Sequence, residues 1–204
     1  VEVRPDVRHT GTVQVTAVLG QAGTVPVEVE RLIRASGAPV PFSPAALKVA
    51  EQAGADIEKE AAADPLRRDI RDLPLVTIDG ETAKDFDDAV HVAVHGKDMV
   101  LTVAIADVSH YVREGSALDR DAVERGTSIY FPRRVIPMLP ERLSNDLCSL
   151  RPHVPRLCMV ARMTFGPSDV EPRKVDLFPG LMRSAARLTY TRVQQGRDQG
   201  LKEL

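Results

Sequence analysis

Apolar and polar residues alternate along GTVQVTAVL (11–19), the period-two pattern of a half-buried strand. After a loop at 20–23 bounded by glycines, the period changes. PVEVERLIRA (26–35) opens on proline and sets Val29, Leu32 and Ile33 at helical spacing, with Gly37 as a stop. Ser43 and Pro44 suit the N-cap and first position of a second helix through PAALKVAEQA (44–53). The pattern of IEKEAAA (57–63) predicts that this helix continues past Gly54. Beyond residue 71 the texture becomes richer in β-formers. LPLVTID (73–79) reads as a short strand ending on an aspartate. AVHVAV (89–94) and VLTVAIADV (100–108), separated by HGKDM, predict a hairpin.

Ser116 and Asp119 resemble a capping box before the helix ALDRDAVER, which Gly126 ends. FPRRVIPMLP (131–140) holds three prolines and reads as an irregular loop. Pro140 then opens a helix over ERLSNDLCSL. RLCMVARMTF (156–165) and PRKVDLFP (172–179) are strands joined by the turn GPSD, and a last helix includes TRVQQ. Strands and helices mix without βαβ alternation, so the fold class is α+β.

Composition narrows the picture only slightly. With 43% hydrophobic and 27% charged residues, 204 residues can bury an ordinary globular core. No run approaches the roughly 20 apolar residues that span a bilayer, so no membrane partner is expected. The start VEVRPDVRHT carries neither a secretory signal nor an initiator Met, so the expectation is a chain that begins inside a longer protein. Cys148 and Cys158 lack metal or redox spacing and read as reduced thiols of a cytoplasmic protein. The formal net charge of −2 excludes a broadly basic nucleic-acid binder, but not cations confined to one channel.

The chemistry concentrates in DGETAKDFDDAV (79–90), which places Asp79, Asp85, Asp87 and Asp88 within ten positions at the end of a strand. Crowded carboxylates raise one another's pKa unless a cation neutralises them. Their hard oxygens favour Mg²⁺ or Mn²⁺, and such ions suit phosphodiester hydrolysis. Spacing alone leaves an exposed acidic loop as the competing reading. A calcium EF-hand loop is excluded, because Lys84 stands where its glycine belongs and Val90 where its glutamate belongs.

TIDGETAKDFDDAV resembles the signature of the RNB domain, the catalytic domain of the RNase II, RNase R and Dis3 exoribonucleases. The resemblance continues through ADVSHYVREGSALDRDAVERGTSIYFPRRVIPMLPERLSNDLCSLRP and SAARLTY (184–190), covering about residues 72–190. VTAVLG and VERLIRASG resemble the tail of a cold-shock RNA-binding domain and its linker. The resemblance implies an RNB-type domain with a mixed, largely antiparallel sheet and surrounding helices. In that reading residues 1–20 end a cold-shock-like (OB-like) β domain, 21–70 form a helical connector, and 71–204 begin the catalytic domain. It further implies Mg²⁺-dependent 3′-to-5′ hydrolysis of single-stranded RNA to nucleoside 5′-monophosphates, with Mn²⁺ a substitute and no obligate protein partner. The alternative is a non-catalytic RNA-binding module of the same fold. Asp79 and Asp88 would be the direct metal ligands, Asp87 the aspartate whose loss removes chemistry but not RNA binding, and Asp85 the fourth of the set. The family's domain extends beyond Leu204, where further catalytic groups are expected.

Tyr130 in GTSIYFP matches a family tyrosine that packs against RNA; by itself it reads as a half-buried core tyrosine, and the resemblance sets the RNA-packing reading level with it. His110 reads as structural. Arg133, Arg134, Arg142, Arg151 and Arg156 read either as a solvated basic surface or as phosphate contacts.

Overall fold

The computed structural model describes residues 2–5, 13–132 and 134–200. The strands β1 (Glu2–Pro5) and β2 (Val13–Ala17) pair antiparallel as a separate two-stranded sheet. Residues 1, 6–12, 133 and 201–204, on which expectations above also fall, lie outside the described residues. Helix α1 (Val25–Ser36) buries Val27, Val29 and Ile33, and ends on Gly37 at φ 69°. Leu32, expected on the same face, is exposed.

In α2 (Pro44–Gln52) the Ser43 side chain accepts from Ala46 N–H at 3.1 Å, as its sequence position implied. The helix does not continue through Gly54. That glycine sits at φ 65°, and Asp56 caps a separate helix, α3 (Ile57–Ala62), by accepting from Lys59 N–H. A left-handed residue breaks the hydrogen-bond ladder more firmly than the propensity of IEKEAAA can restore it.

Seven strands form the central sheet. In chain order they are β3 (Arg68–Asp69), β4 (Val76–Asp79), β5 (Asp88–His95), β6 (Asp98–Ala106), β9 (Pro155–Phe165), β10 (Lys174–Arg183) and β11 (Ala186–Thr189). Their spatial order is β11-β4-β5-β6-β9-β10-β3. The four pairings from β4 through β10 are antiparallel; β11 on β4 and β3 on β10 are parallel. The β5–β6 hairpin turns at Gly96, at φ 64°, between the paired His95 and Asp98. Sequence periodicity shows both hairpins but not β3 or β11. Each is short, and only a distant partner makes it a strand.

After β6 come α4 (Val108–Tyr111) and α5 (Ala117–Arg125), the latter capped by Ser116, whose hydroxyl accepts from Asp119 N–H at 3.1 Å. FPRRVIPMLP is not wholly irregular: β8 (Arg134–Ile136) lies within it and pairs antiparallel with β7 (Ile129–Phe131), which ends on its first residue, as a small hairpin. ERLSNDLCSL yields one wide turn over Leu143–Leu147 of π type, closed by Cys148 N–H donating to Leu143 O at 2.8 Å. Helix α6 (Tyr190–Asp198) follows β11 directly.

Leu75, Leu118, Leu143, Leu150, Leu157 and Met182 are fully buried in one core between the sheet and α2, α3 and α5. Cys148 and Cys158 join it as free thiols, their pKa values pushed up to about 12 by burial. Among the described residues no helix is long and apolar enough to cross a membrane.

Candidate active site

Strands β4 and β5 pair only at Val76 and Val90, so the segment between them, 80–87, leaves the sheet and returns as an acidic loop. Phe86 is turned into the core, only 9% exposed, while its neighbours Asp85 and Asp87 reach toward solvent. Burial of the Phe86 ring leaves the flanking carboxylates on the outer side of the loop. Asp87 O accepts from Ala106 N–H at 2.9 Å, tying the loop to the end of β6. Asp79 ends β4 and Asp88 starts β5.

Asp79 and Asp87 sense the neighbouring carboxylates. Burial raises the Asp79 pKa, with Asp88 and Asp85 adding repulsion and Arg187 partly offsetting it. Asp79 Oδ2 and Thr77 Oγ1 are nonetheless buried without a hydrogen-bond partner. Asp87 opens onto a cleft, yet the protein around it withdraws enough water to raise its pKa. Asp85, Asp88 and Asp79 push in the same direction. No three His, Cys, Asp or Glu side chains among the described residues stand close enough to hold a cation unaided. A Mg²⁺ ion, which takes one or two protein carboxylates and fills its shell with water and phosphate oxygens, fits this donor set. The buried Asp79 Oδ2, without a protein partner, is the observation on which that fit rests.

Two adjoining clefts, of about 590 Å³ and 350 Å³, open beside the loop, and Asp85, Tyr130 and Ser144 line both. Asp87 lines the smaller. Tyr130 is 68% exposed on β7 and is therefore a wall of the clefts, not a core tyrosine. Lys84, Arg134 and Asn145 face the larger cleft. This places Asp85, Asp87 and Tyr130 together.

The other nominated residues divide. His110 lies apart: its Nε2 sits 3.2 Å from Glu60 Oε2 and its backbone N–H donates to Asp107, a structural setting. Arg156 is almost fully buried. It donates to Asp146 Oδ1 at 2.6 Å and to the carbonyls of Asp146 and Ser149, so its charge serves the fold. Arg142 and Arg151 also pair with Asp146, and Arg134 with Glu30.

Three residues at the site escaped the sequence reading. Arg187 on β11 donates to Gly80 O at 2.6 Å and Glu81 O at 2.9 Å, with its guanidinium 5.5 Å from the Phe86 ring centre. Tyr190, 65% exposed, begins α6 just after Thr189, the register partner of Asp79. Ser149, wholly buried, bonds the backbone of the loop. Arg187 and Ser149 reach the backbone of the acidic loop, and Tyr190 follows the rung of Asp79, through tertiary pairing that no local spacing signals.

The RNB domain family matches residues 67–203. Ribonuclease R of Acidithiobacillus ferrooxidans is 48% identical over 191 residues, which is 93% of this chain and 42% of that one. Mycoplasma genitalium RNase R, solved with double-stranded RNA and with ribose-methylated single-stranded RNA, superposes with a TM-score of 0.84 at 33% identity. These alignments cover 94% of this chain and 34% and 29% of the two solved chains, so this chain spans well under half of its relatives' length. Yeast Ssd1, a pseudonuclease, shares the fold with a TM-score of 0.66 at 17% identity, covering 88% of this chain and 23% of that one.

Proposed function

This chain belongs to the RNB-domain family, and from that premise we propose that it carries the acidic face of a Mg²⁺-dependent 3′-to-5′ exoribonuclease acting on single-stranded RNA. The products in this reading are nucleoside 5′-monophosphates. The observation that carries it is the position of Asp85 and Asp87 on a cleft walled by exposed Tyr130, with Asp79 and Asp88 on the strands that flank their loop. Residues 71–204 then form the first part of the catalytic domain, preceded by a helical connector and the end of a small β domain.

Asp79 and Asp88 are the residues that would hold the cation. When bound, Mg²⁺, or Mn²⁺ in its place, supplies a water nucleophile of lowered pKa and charge stabilisation at the phosphate. The protein's own groups do the rest. Asp87, open to the cleft and surrounded by like charge, is suited to hold and orient a water proton. Asp85 extends the acidic surface toward Tyr130. Tyr130 offers a face on which any base can stack, which gives grip without sequence preference. Lys84 stands in the same cleft as a cation for the phosphodiester backbone.

A second reading has its own support. The Ssd1 fold is that of a pseudonuclease, and this chain's carboxylates do not close around a cation unaided among the described residues. An RNA-gripping module without cleavage is the alternative. One experiment separates the two: uniformly labelled single-stranded RNA is incubated with the full-length protein that carries this chain in Mg²⁺, in Mn²⁺ and in EDTA, while binding is followed across a salt series. Metal-dependent release of mononucleotides, lost in Asp87→Asn with RNA binding kept, supports the nuclease. Salt-sensitive binding with no cleavage in either metal supports the module. RNA that fails to bind at low salt removes both.

A further inference from the structure

The acidic loop is shaped by two residues remote from it in sequence. On one side Ser149 Oγ donates to Lys84 O at 2.8 Å and accepts from Phe86 N–H at 3.1 Å. The next residue repeats the hold, Leu150 N–H donating to Phe86 O at 2.8 Å. Asp85 is thus clasped between two residues bound to one buried hydroxyl. On the other side Arg187 Nη2 bridges the carbonyls of Gly80 and Glu81, just after Asp79. Backbone positions 80, 81, 84 and 86 are all fixed from outside the loop.

Four neighbouring carboxylates repel, and an untethered loop relieves that repulsion by spreading. Spreading would have to be reversed whenever a divalent cation bound, and the reversal would weaken binding. We propose that Ser149 and Arg187 are positioning residues that hold the acidic loop ready for a divalent cation. The inference rests on the reading of this loop as a metal site. It assigns neither residue a contact with metal or RNA.

Arg187 makes the idea discriminating, because its two possible effects on a cation have opposite signs. A guanidinium acting only as a nearby positive charge opposes cation binding, so removing it would tighten the site. A guanidinium acting as a tether favours binding, so removing it would loosen the site.

The test is a calorimetric Mn²⁺ titration of the 204-residue chain, compared with Ser149→Ala, Arg187→Met and Leu118→Ala. The last removes fully buried packing from α5 and reports on generic destabilisation. Melting temperatures and RNA affinity in EDTA are measured alongside. Expected are Mn²⁺ affinities about 10–100-fold weaker for the serine and arginine variants, the usual scale for residues that orient metal ligands. Leu118→Ala keeps the wild-type value, and RNA affinity without metal is unchanged throughout. Wild-type affinity in Ser149→Ala, or tighter binding in Arg187→Met, overturns the inference. If Ser149→Ala does not fold, Ser149→Cys keeps the volume with a much weaker donor and must show the same loss. A wild-type chain that takes up no Mn²⁺ sinks the metal-site reading itself, and the positioning role falls with it.

Discussion

Thr189 and Asp79 occupy the same rung of the parallel pair β11–β4. That rung brings a late segment of the chain to the acidic loop. Arg187 lies two residues before it, and exposed Tyr190 starts α6 immediately after. Thr189 also caps that helix, accepting from Arg192 N–H at 3.2 Å. The acidic site is thus built by β4, β5 and β11 together.

Repulsion among the carboxylates should make the metal-free site a cost to stability. The folded pKa values of Asp79 and Asp87 are raised, so their contribution is fully present below the unfolded value and is lost as pH rises through the folded one. In EDTA near neutral pH, Asp79→Asn and Asp87→Asn should therefore melt above the wild type. The gap should close near the ordinary aspartate pKa of about 3.9. Mg²⁺ should raise the melting point of the wild type more than that of either variant.

RNA grip should divide by mechanism. Tyr130→Ala should lose about 1–3 kcal/mol of single-stranded RNA affinity with the salt dependence unchanged, because stacking releases no counterions. Lys84→Ala should instead flatten the plot of log affinity against log salt by about 0.7 for its one phosphate contact. Fluorescence anisotropy across a salt series reads both.

Arg67 and Asp107 form a buried ion pair, Nη2 to Oδ2 at 2.7 Å with each side chain 4% exposed. Arg67→Met should cost about 3–5 kcal/mol in urea unfolding, since it strands a buried carboxylate. Burial alone would raise the Asp107 pKa, but the Arg67 guanidinium and Ser109 hydroxyl hold it below the ordinary range. A depressed folded value stabilises above the unfolded pKa and is lost as pH falls through the folded one. The deficit of Arg67→Met should accordingly be full at neutral pH and narrow in acid.

Gly54 carries both a left-handed backbone and a tight neighbour. A Cβ there would lie 2.3 Å from Leu147 Cδ2, at φ 65°. Gly54→Ala should destabilise by at least about 1–3 kcal/mol from overpacking, with backbone strain in addition. Because Leu147 ends the π turn whose Ser144 lines both clefts, RNA affinity should fall with it, as paired melting and binding measurements would show.

Much of this was legible in the residues. The hairpins β5–β6 and β9–β10 follow from period-two alternation, and Ser43 and Ser116 cap the helices their positions announce. The break at Gly54 and the hairpin β7–β8 were not legible. Local propensity and proline content argued the other way, and a left-handed backbone and strand pairing prevailed.

The amino-acid sequence alone determined the kind of chemistry available, because four aspartates within ten positions are a covalent fact about the chain. It also determined the hairpins that flank them, because alternation and turn residues act between neighbours. Tertiary structure alone decided which side chains meet those aspartates. Arg187, Ser149 and Tyr130 arrive through the rung pairing of β11, the burial of Phe86 and the fold of β7. Such contacts depend on how a whole sheet closes, and that closure is a property of long-range packing which no stretch of residues encodes by itself.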